Sequence, residues 1–214
     1  MDSSIAVRAR VYDNLSLVSQ AVASPIRLRI LQTLANSPST VESISAKTLE
    51  SVANTSQHLQ KMLRAGILRC EKQGVSRVYS LANEQVLEMW LTLQKLAFTL
   101  NPQIQQDEEL LCPQELCTDM NLSAIWKMVK AGKATFLDVR DLDDAQGTPL
   151  KEALHIPSAQ IKKHLSAIPK SKTIFVFCRG RYCSLANPVV ETLRKHGYKA
   201  YRLREMSYEI EKLY

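Results

Sequence analysis

The amino-acid sequence predicts two domains, a mainly α-helical domain over residues 1–100 and an α/β domain with a mostly parallel sheet over residues 121–214. Three observations support this prediction. Apolar residues recur at helical spacing through most of the first domain, whereas short apolar strands alternate with amphipathic helices after residue 120. The intervening residues 101–120 contain five acidic residues, two prolines and no basic residue. We therefore expect an acidic linker between two basic domains.

The composition excludes several classes of protein. With 214 residues, of which 45% are hydrophobic and 23% charged, the chain can bury a core and is neither disordered nor collagen-like. It has no apolar run of the roughly 20 residues that a membrane span needs and no signal-peptide core, so we expect a cytoplasmic protein without a membrane partner. Five cysteines, an odd number, favour reduced thiols over a disulfide framework. The net charge of +7 is compatible with binding to nucleic acid.

The first domain begins with four predicted helices. The apolar positions of the first helix are Val11, Leu15, Val18 and Val22. Ser24-Pro25 caps a second helix that stops near Pro38, and Thr40 begins a short third helix. Ser51 caps the fourth helix, which ends at Gly66. The predicted buried stripe of the fourth helix is Val52, Thr55, Leu59, Met62 and Leu63.

A β-hairpin is predicted after the fourth helix, because ILRCEKQGVSRVYSL alternates in hydrophobicity around a tip near Gln73-Gly74, and a long amphipathic helix follows. This order of elements is typical of a winged helix-turn-helix, in which the fourth helix lies in the DNA major groove and the hairpin touches phosphates or the minor groove. The residues expected to contact DNA are Ser51, Asn54, Thr55, Gln57, His58, Lys61, Lys72 and Arg77. For His58, a packed helix histidine is the alternative.

The run from Ser24 to Asn83 resembles the ArsR family of bacterial transcriptional regulators, most clearly in RLRIL, TSQHLQKMLRAGIL and VYSL. The resemblance covers about the first 100 residues and implies binding to double-stranded operator DNA as a homodimer joined through the first and last helices. The residues expected at the dimer interface are Val11, Leu15, Val18, Val22, Trp90, Leu93 and Leu96, for which an ordinary core stripe is the alternative.

Metal sensing is not expected from this domain. Many members of the family bind metals through Cys pairs on the third helix or through Asp and His on the last helix, and the corresponding segments here contain neither. Cys70 is a single thiol in the hairpin, and one thiolate cannot supply the three or four ligands that a soft metal requires. We therefore expect no metal site and no cofactor.

Two cysteines of the acidic segment, Cys112 and Cys117, are five residues apart with Pro113 between them. On a helix this spacing would place the two side chains on different faces. We expect both cysteines to act as small apolar side chains that dock the linker, and a reactive dithiol is the alternative.

The second domain is expected to carry a site at the carboxyl ends of its parallel strands. The predicted strands TFLDVR and TIFVFC end at Arg140 and Cys178, and the loop RGRYC connects Cys178 to a helix predicted to begin at Ser184. A further helix is predicted for IKKHLSAI. The helix N-terminus favours the thiolate of Cys178 and a bound anion such as thiosulfate, phosphate or arsenate, and the nearby Arg179 and Arg181 add to this effect. An inert buried cysteine is the alternative.

The loop resembles the short active loop of rhodanese sulfurtransferases rather than that of tyrosine phosphatases, because Ser184 stands where a phosphatase has arginine. Besides CRGRYCSLA, the matching motifs are LDVR at 137–140, HIPSA at 155–159 and VFCRG at 176–180. The resemblance covers about residues 120–210 and implies that Cys178 carries sulfur as a persulfide, with His155 in a structural role. The anion-binding residues that it implies are Arg179, Gly180, Arg181, Tyr182 and Cys183, supported by Asp138 and Arg140.

We interpret the chain as a homodimeric DNA-binding regulator whose second domain takes sulfur from thiosulfate or polysulfide, with thiosulfate:cyanide sulfurtransferase activity and sulfur-dependent DNA binding. If the two loop thiols approach each other, Cys183 can attack a Cys178 persulfide and close a disulfide. Two alternatives remain open. One is a sulfurtransferase or arsenate-reducing enzyme whose first domain only targets or dimerises it, and the other is a repressor whose rhodanese domain is catalytically silent.

Overall fold

The computed structural model describes residues 3–212, which form two compact units divided between Leu96 and Ala97. The predicted fold class is confirmed for both units, since the first is mainly helical with a small antiparallel sheet and the second contains a parallel sheet between helices. Among the described residues, no helix is long and apolar enough to cross a membrane.

The first unit has the predicted order of elements. Its helices and strands are α1 (Ser3–Val22), α2 (Pro25–Leu34), β1 (Ser39–Thr40), α3 (Val41–Thr48), α4 (Val52–Arg64), β2 (Leu68–Gln73), β3 (Ser76–Leu81) and α5 (Glu84–Leu100), which extends past the division. The three strands pair in the antiparallel order β1-β3-β2. The helices pack around a core whose fully buried side chains include Ile30, Leu31, Ile44, Leu59 and Met62.

Local sequence signals account for the boundaries of these elements. The side chains of Thr40 and Ser51 accept hydrogen bonds from backbone N–H groups three residues later, as the predicted N-caps of α3 and α4. Gly66 follows the C-cap of α4, and Gly74 forms the tip of the hairpin with a φ of 61°. Both turns are where the sequence predicts them.

Two details of the first unit differ from prediction. Val52, expected in the buried stripe of α4, is 45% exposed because it stands in the first turn, beyond the edge of the core. Trp90, expected at a dimer interface, is buried within this unit, and its indole N–H donates to the Gln32 side chain at 3.0 Å. The α5 stripe therefore serves the core at this position, which is the alternative that the sequence left open.

The second unit is built on four parallel strands in the order β5-β4-β6-β7. Its elements are α6 (Pro102–Leu111), α7 (Leu122–Lys130), β4 (Ala134–Asp138), α8 (Leu142–Gly147), β5 (Ala153–His155), β6 (Thr173–Phe177), α9 (Asn187–Lys195), β7 (Ala200–Arg202) and α10 (Ser207–Glu211). Because side chains alternate along a strand, the central strands supply two separate cores. One contains Leu137 and Val176 with the α9 residues Val190 and Leu193, and the other contains Phe136, Phe175 and Phe177 with Ile125 and Trp126 of α7 and Ile210 of α10.

Several boundaries in the second unit differ from prediction. The acidic segment 101–120, predicted as a linker, contains α6 and a 3₁₀ turn, Gln114–Leu116, whose Leu116 enters a core. The predicted helix IKKHLSAI is instead part of two 3₁₀ turns, Ser158–Lys163 and Leu165–Ala167. The helix after the Cys178 loop begins at Asn187 rather than Ser184, with Pro188 tolerated in its first turn.

Candidate functional site

The exposed face of α4 carries hydrogen-bonding and basic side chains. Gln57 and Lys61 are exposed, as predicted, while Ser51 is occupied with capping the helix. Asn54 is half-buried, and its amide donates to Glu50 at 2.9 Å, so this side chain is already engaged. The sequence analysis missed two exposed residues on the same face, Gln60 and Arg64. Helical spacing could have predicted both, because residues three, four and seven positions after Gln57 lie on the same face of the helix.

Thr55 and His58, predicted to contact DNA, are less accessible than that role requires. Thr55 is fully buried beneath α4, so its side chain is out of reach of a ligand. His58 is half-buried with Nδ1 at 3.3 Å from the guanidinium of Arg27, which fits the packed alternative. Burial, followed by the charges of Arg27 and Lys61, lowers the pKa of His58.

Two basic residues face each other across the hairpin. Lys72 of β2 pairs in register with Arg77 of β3, and both side chains are exposed. Like charges directly opposite each other on two strands are unfavourable in isolation. A polyanion bound at this face removes that repulsion, so the pair is suited to a phosphate backbone.

A dithiol lies at the carboxyl end of β6. Cys178 directly follows the strand and is fully buried, whereas Cys183 is half-buried at the other end of the loop. The Cys178 thiol donates to the carbonyl oxygen of Cys183 at 3.4 Å, and each of the two thiols shifts the pKa of the other. Backbone groups of Arg179 and Leu185 lower the pKa of Cys183, and that of Ala186 opposes the rise in the pKa of Cys178. The loop backbone therefore favours the ionised form of either sulfur.

The pKa values of the two loop thiols are shifted in opposite directions. Interaction with the Cys178 thiol is the largest cause that lowers the pKa of Cys183, to about 5, and the loop backbone and Arg179 add to it against the effect of burial. Interaction with Cys183, followed by burial, raises the pKa of Cys178 well above its ordinary value. These directions favour the thiolate on Cys183, the more exposed of the two thiols.

The two arginines of the loop are neutralised by acids. Arg179 forms ion pairs with Asp141 and Asp144 at the start of α8. Arg181 contacts both carboxylate oxygens of Glu108 on α6 at 3.2 Å. The positive charges of Arg179 and Arg181 are therefore largely balanced by carboxylates. The loop backbone contributes to favouring negative charge on the sulfur atoms.

A third arginine, which the sequence analysis missed, supports the loop from behind. Arg202 of β7 is fully buried and donates to the carbonyl oxygen of Cys183 and, at 3.4 Å, to that of Gly180. Gly180 has a φ of 94°, and a Cβ there would lie 2.8 Å from Cγ of Met206, so only glycine fits. The sequence could have indicated Arg202, because it is a charged residue in the predicted strand KAYRL. A charged side chain that is buried in a parallel sheet requires specific hydrogen-bond partners.

Asp138 and Arg140, which were predicted to support the anion-binding residues, are engaged with each other and with Thr148. Both are buried, and the Arg140 guanidinium donates to the Asp138 carboxylate at 2.7 to 3.1 Å and to the Thr148 hydroxyl and carbonyl at 2.7 and 2.8 Å. Nε2 of His155 lies 2.9 Å from the Arg140 carbonyl oxygen, which agrees with a structural role. These bonds fix the end of β4 and leave the guanidinium engaged on every nitrogen.

Tyr182, the remaining predicted loop residue, is half-buried, and burial raises the pKa of its phenol. Within residues 3–212, no three or more His, Cys, Asp or Glu side chains are grouped so that they could hold a metal ion.

Two protein-family models match separate parts of the chain. A model described as a helix-turn-helix domain matches residues 22–71, and one described as a rhodanese-like domain matches residues 121–209. A curated relative, HTH-type transcriptional regulator Rv0324 of Mycobacterium tuberculosis, is 27% identical over 92% of this chain and 86% of its own length.

Solved structures that match cover less of the chain. One is the homodimeric winged helix-turn-helix DNA-binding domain, fragment 1–100, of a possible ArsR-family transcriptional regulator from Mycobacterium bovis. It is 29% identical, covers 42% of this chain and 83% of that one, and has a TM-score of 0.41. A predicted DNA-binding transcriptional regulator from E. coli is also 29% identical, covers 43% and 97% of the two chains, and has a TM-score of 0.37.

Proposed function

We propose that this chain is a DNA-binding transcriptional regulator of the ArsR type, in which a helix-turn-helix domain is joined to a rhodanese-like domain whose loop dithiol takes up sulfane sulfur. The observation that supports the sulfur chemistry is the position of Cys178 and Cys183 at the two ends of one short loop, where the Cys178 thiol donates to the Cys183 carbonyl oxygen at 3.4 Å. The loop backbone favours negative charge on sulfur, both on a thiolate and on a persulfide.

The thiolate on Cys183 explains how the buried Cys178 can act as the sulfur carrier. Cys183 accepts the proton of the Cys178 thiol as the attack proceeds, so that Cys178 becomes the nucleophile only during the reaction. The Cys178 thiolate attacks the outer sulfur of thiosulfate, the sulfur–sulfur bond of thiosulfate breaks, and sulfite leaves. A persulfide anion then stands on Cys178 and a thiol on Cys183.

The neighbouring thiol gives the loop a second chemical state. The sulfur of Cys183 attacks the inner sulfur of the Cys178 persulfide, a Cys178–Cys183 disulfide forms, and hydrosulfide leaves with the outer sulfur. Reduced, persulfidated and oxidised loops differ in charge and shape, so DNA affinity has three sulfur states to respond to. A cyanide acceptor removes the outer sulfur instead, which gives sulfurtransferase turnover.

DNA recognition is assigned to α4 and the hairpin. Gln57, Gln60, Lys61 and Arg64 form one exposed face of α4, and Lys72 opposes Arg77 on the hairpin. In a winged helix-turn-helix the first surface contacts base edges and the second contacts the phosphate backbone. The pairing of two exposed cations on the hairpin is the feature that favours a polyanionic partner over an inert basic surface.

A homodimer is the proposed assembly, because α1 presents large apolar side chains that nothing within residues 3–212 covers. These exposed residues are Ile5, Val7, Val11, Tyr12, Leu15, Leu17 and Val18. Contiguous exposed apolar side chains of this number are unusual on a monomer and are typical of an interface. A second copy of the chain would cover them with an identical helix, and its two-fold symmetry would match a palindromic operator.

The proposal is tested by titrating the DNA upstream of the chain's own gene with reduced protein and with protein treated with thiosulfate or polysulfide, for the wild type and Cys178→Ser. A coupling free energy on the order of 1–3 kcal/mol, or roughly 5- to 150-fold in affinity, is expected for the wild type. Cys178→Ser should bind DNA with no response to sulfur. Equal affinities in all four samples would show that the rhodanese-like domain is not a sensor for this DNA.

A further inference from the structure

A second pair of thiols lies outside the loop. The sulfur atoms of Cys112 and Cys117 are 3.5 Å apart, and both side chains are buried. The chain turns sharply between them, because α6 ends at Leu111 and the 3₁₀ turn Gln114–Leu116 returns the backbone. The N–H group of Cys117 donates to the carbonyl of Gln114 at 3.0 Å. The five-residue spacing would place the two side chains on different faces of a helix, but this turn brings the two thiols together.

The turn is fastened to the sheet on both sides of the pair. Cys117 forms a parallel bridge with Arg202 of β7. The carbonyl oxygen of Leu111, directly before Cys112, accepts hydrogen bonds from the Arg202 guanidinium and from the Asn187 amide, the latter at 3.1 Å. The short distance between the thiols is thus held by tertiary contacts rather than by local chain preference.

The two thiols are chemically unequal. Cys117 borders a pocket of about 440 Å³ whose lining includes Asp119, Met128, Lys199 and Tyr201, whereas Cys112 is fully buried. A hydrogen bond from Cys112, followed by the charges of Arg204 and Arg202, lowers the pKa of Cys117 to about 7 against the effect of burial. The hydrogen bond and burial raise the pKa of Cys112. Cys117 is therefore the accessible nucleophile and Cys112 the enclosed partner.

We propose that Cys112 and Cys117 form a second oxidisable dithiol, in which Cys117 reacts with a small hydroperoxide that enters through the pocket and Cys112 then closes a disulfide. The Cys117 thiolate attacks one peroxide oxygen, the oxygen–oxygen bond breaks, and a sulfenic acid and hydroxide form. The Cys112 sulfur attacks the sulfenic sulfur and displaces its hydroxide, which leaves as water with the Cys112 proton. Two thiols lose two electrons, hydrogen peroxide gains them, and two water molecules result.

The geometry allows this closure with a small displacement. A disulfide requires the sulfur atoms to approach from 3.5 Å to about 2.05 Å. The pocket at Cys117 admits a molecule the size of hydrogen peroxide, whereas the enclosure of Cys112 excludes a bulky disulfide from that side. This site is independent of the sulfur chemistry proposed for the loop, because it uses neither Cys178 nor Cys183.

The test uses the full chain carrying Cys178→Ser and Cys183→Ser, which leaves Cys70, Cys112 and Cys117 as its thiols. Protein is treated with hydrogen peroxide near pH 7, alkylated, digested with trypsin and analysed by mass spectrometry. The tryptic peptide 96–127 contains Cys112 and Cys117 and no other cysteine, so closure appears as the loss of both alkylation sites in one peptide, reversed by a reductant. The urea-unfolded chain and the separate Cys112→Ser variant are the controls.

The folded chain should form the disulfide on the order of tenfold faster than the unfolded chain. Cys117, with a pKa of about 7 in the folded chain, is about half ionised at neutral pH, whereas an ordinary thiol is only a few per cent ionised. Cys112→Ser should trap a sulfenic acid on Cys117, captured by dimedone. The proposal is overturned if both thiols of the peptide can still be alkylated after peroxide treatment, or if the folded and unfolded chains react at equal rates. It is also overturned if dimedone captures Cys112 in Cys117→Ser but does not capture Cys117 in Cys112→Ser.

Discussion

Replacing Cys183 by serine separates the two roles that the structure assigns to the loop thiols. In the wild type, Cys183 has a pKa lowered to about 5 and holds the charge that accepts the Cys178 proton. In Cys183→Ser, the hydroxyl cannot act as this base near neutral pH, so Cys178 must ionise by itself. Burial still raises the pKa of Cys178 in this variant. The variant should therefore react through a much rarer thiolate.

The size of the effect follows from the loss of a positioned base. Such a base contributes roughly 100- to 10,000-fold to a reaction that needs a proton transfer. The rate of persulfide formation at pH 7 should therefore fall by about 100-fold or more in Cys183→Ser. The sign with pH is also determined: the wild-type rate should be lost as pH falls through about 5, and the variant rate should still be rising above pH 8.

The assay is a single turnover with thiosulfate followed by cyanide, in which thiocyanate is measured between pH 4.5 and 9.5. Cys70→Ser is the matched control, since Cys70 lies on β2 in the other unit and its loss should leave the profile unchanged. If Cys183→Ser keeps an acid limb near pH 5 and its rate at pH 7 is close to that of the wild type, Cys183 is not the proton acceptor and the assignment of charge within the loop is wrong.

Two further predictions concern the first unit. Lys72→Ala should weaken binding to all DNA sequences alike and reduce the dependence of affinity on salt, whereas Gln57→Ala should relax base preference at one position. Both effects are measured by anisotropy titrations with a set of operator variants. If both variants weaken binding to all operator variants equally, the division of roles between the hairpin and α4 is wrong. Thr55 has a buried hydroxyl without a hydrogen-bond partner, so Thr55→Val should raise the free energy of unfolding in urea by about 1 kcal/mol without changing DNA affinity. Thr48→Val is the control and should destabilise, because its hydroxyl donates to the Ile44 carbonyl at 2.8 Å.

The sequence alone determined the features that depend on neighbouring residues. Capping by Thr40 and Ser51, the glycine after α4 and the tip of the hairpin are local, because a cap or turn is made within about four residues of the chain. The alternation of strands and helices was sufficient to predict the parallel sheet. It also placed Cys178 directly after a strand, since the carboxyl end of β6 is visible as the end of an apolar run.

Tertiary structure decided how charges and thiols are paired. Arg181 meets Glu108 across 73 positions of the chain, and Arg202 meets the carbonyl of Cys183 across 19, so neither pairing has a local pattern that could predict it. Packing also buried Thr55, although α4 has a polar face two positions away.

Tertiary structure also decided which of Cys178 and Cys183 ionises and how closely Cys112 approaches Cys117. Burial and backbone donors determine which thiol of the loop ionises, and the return of the chain after α6 determines the distance between the other two. A sequence shows which residues can react, but the energy of a charge or a thiol depends on atoms that only the folded chain brings within a few ångströms.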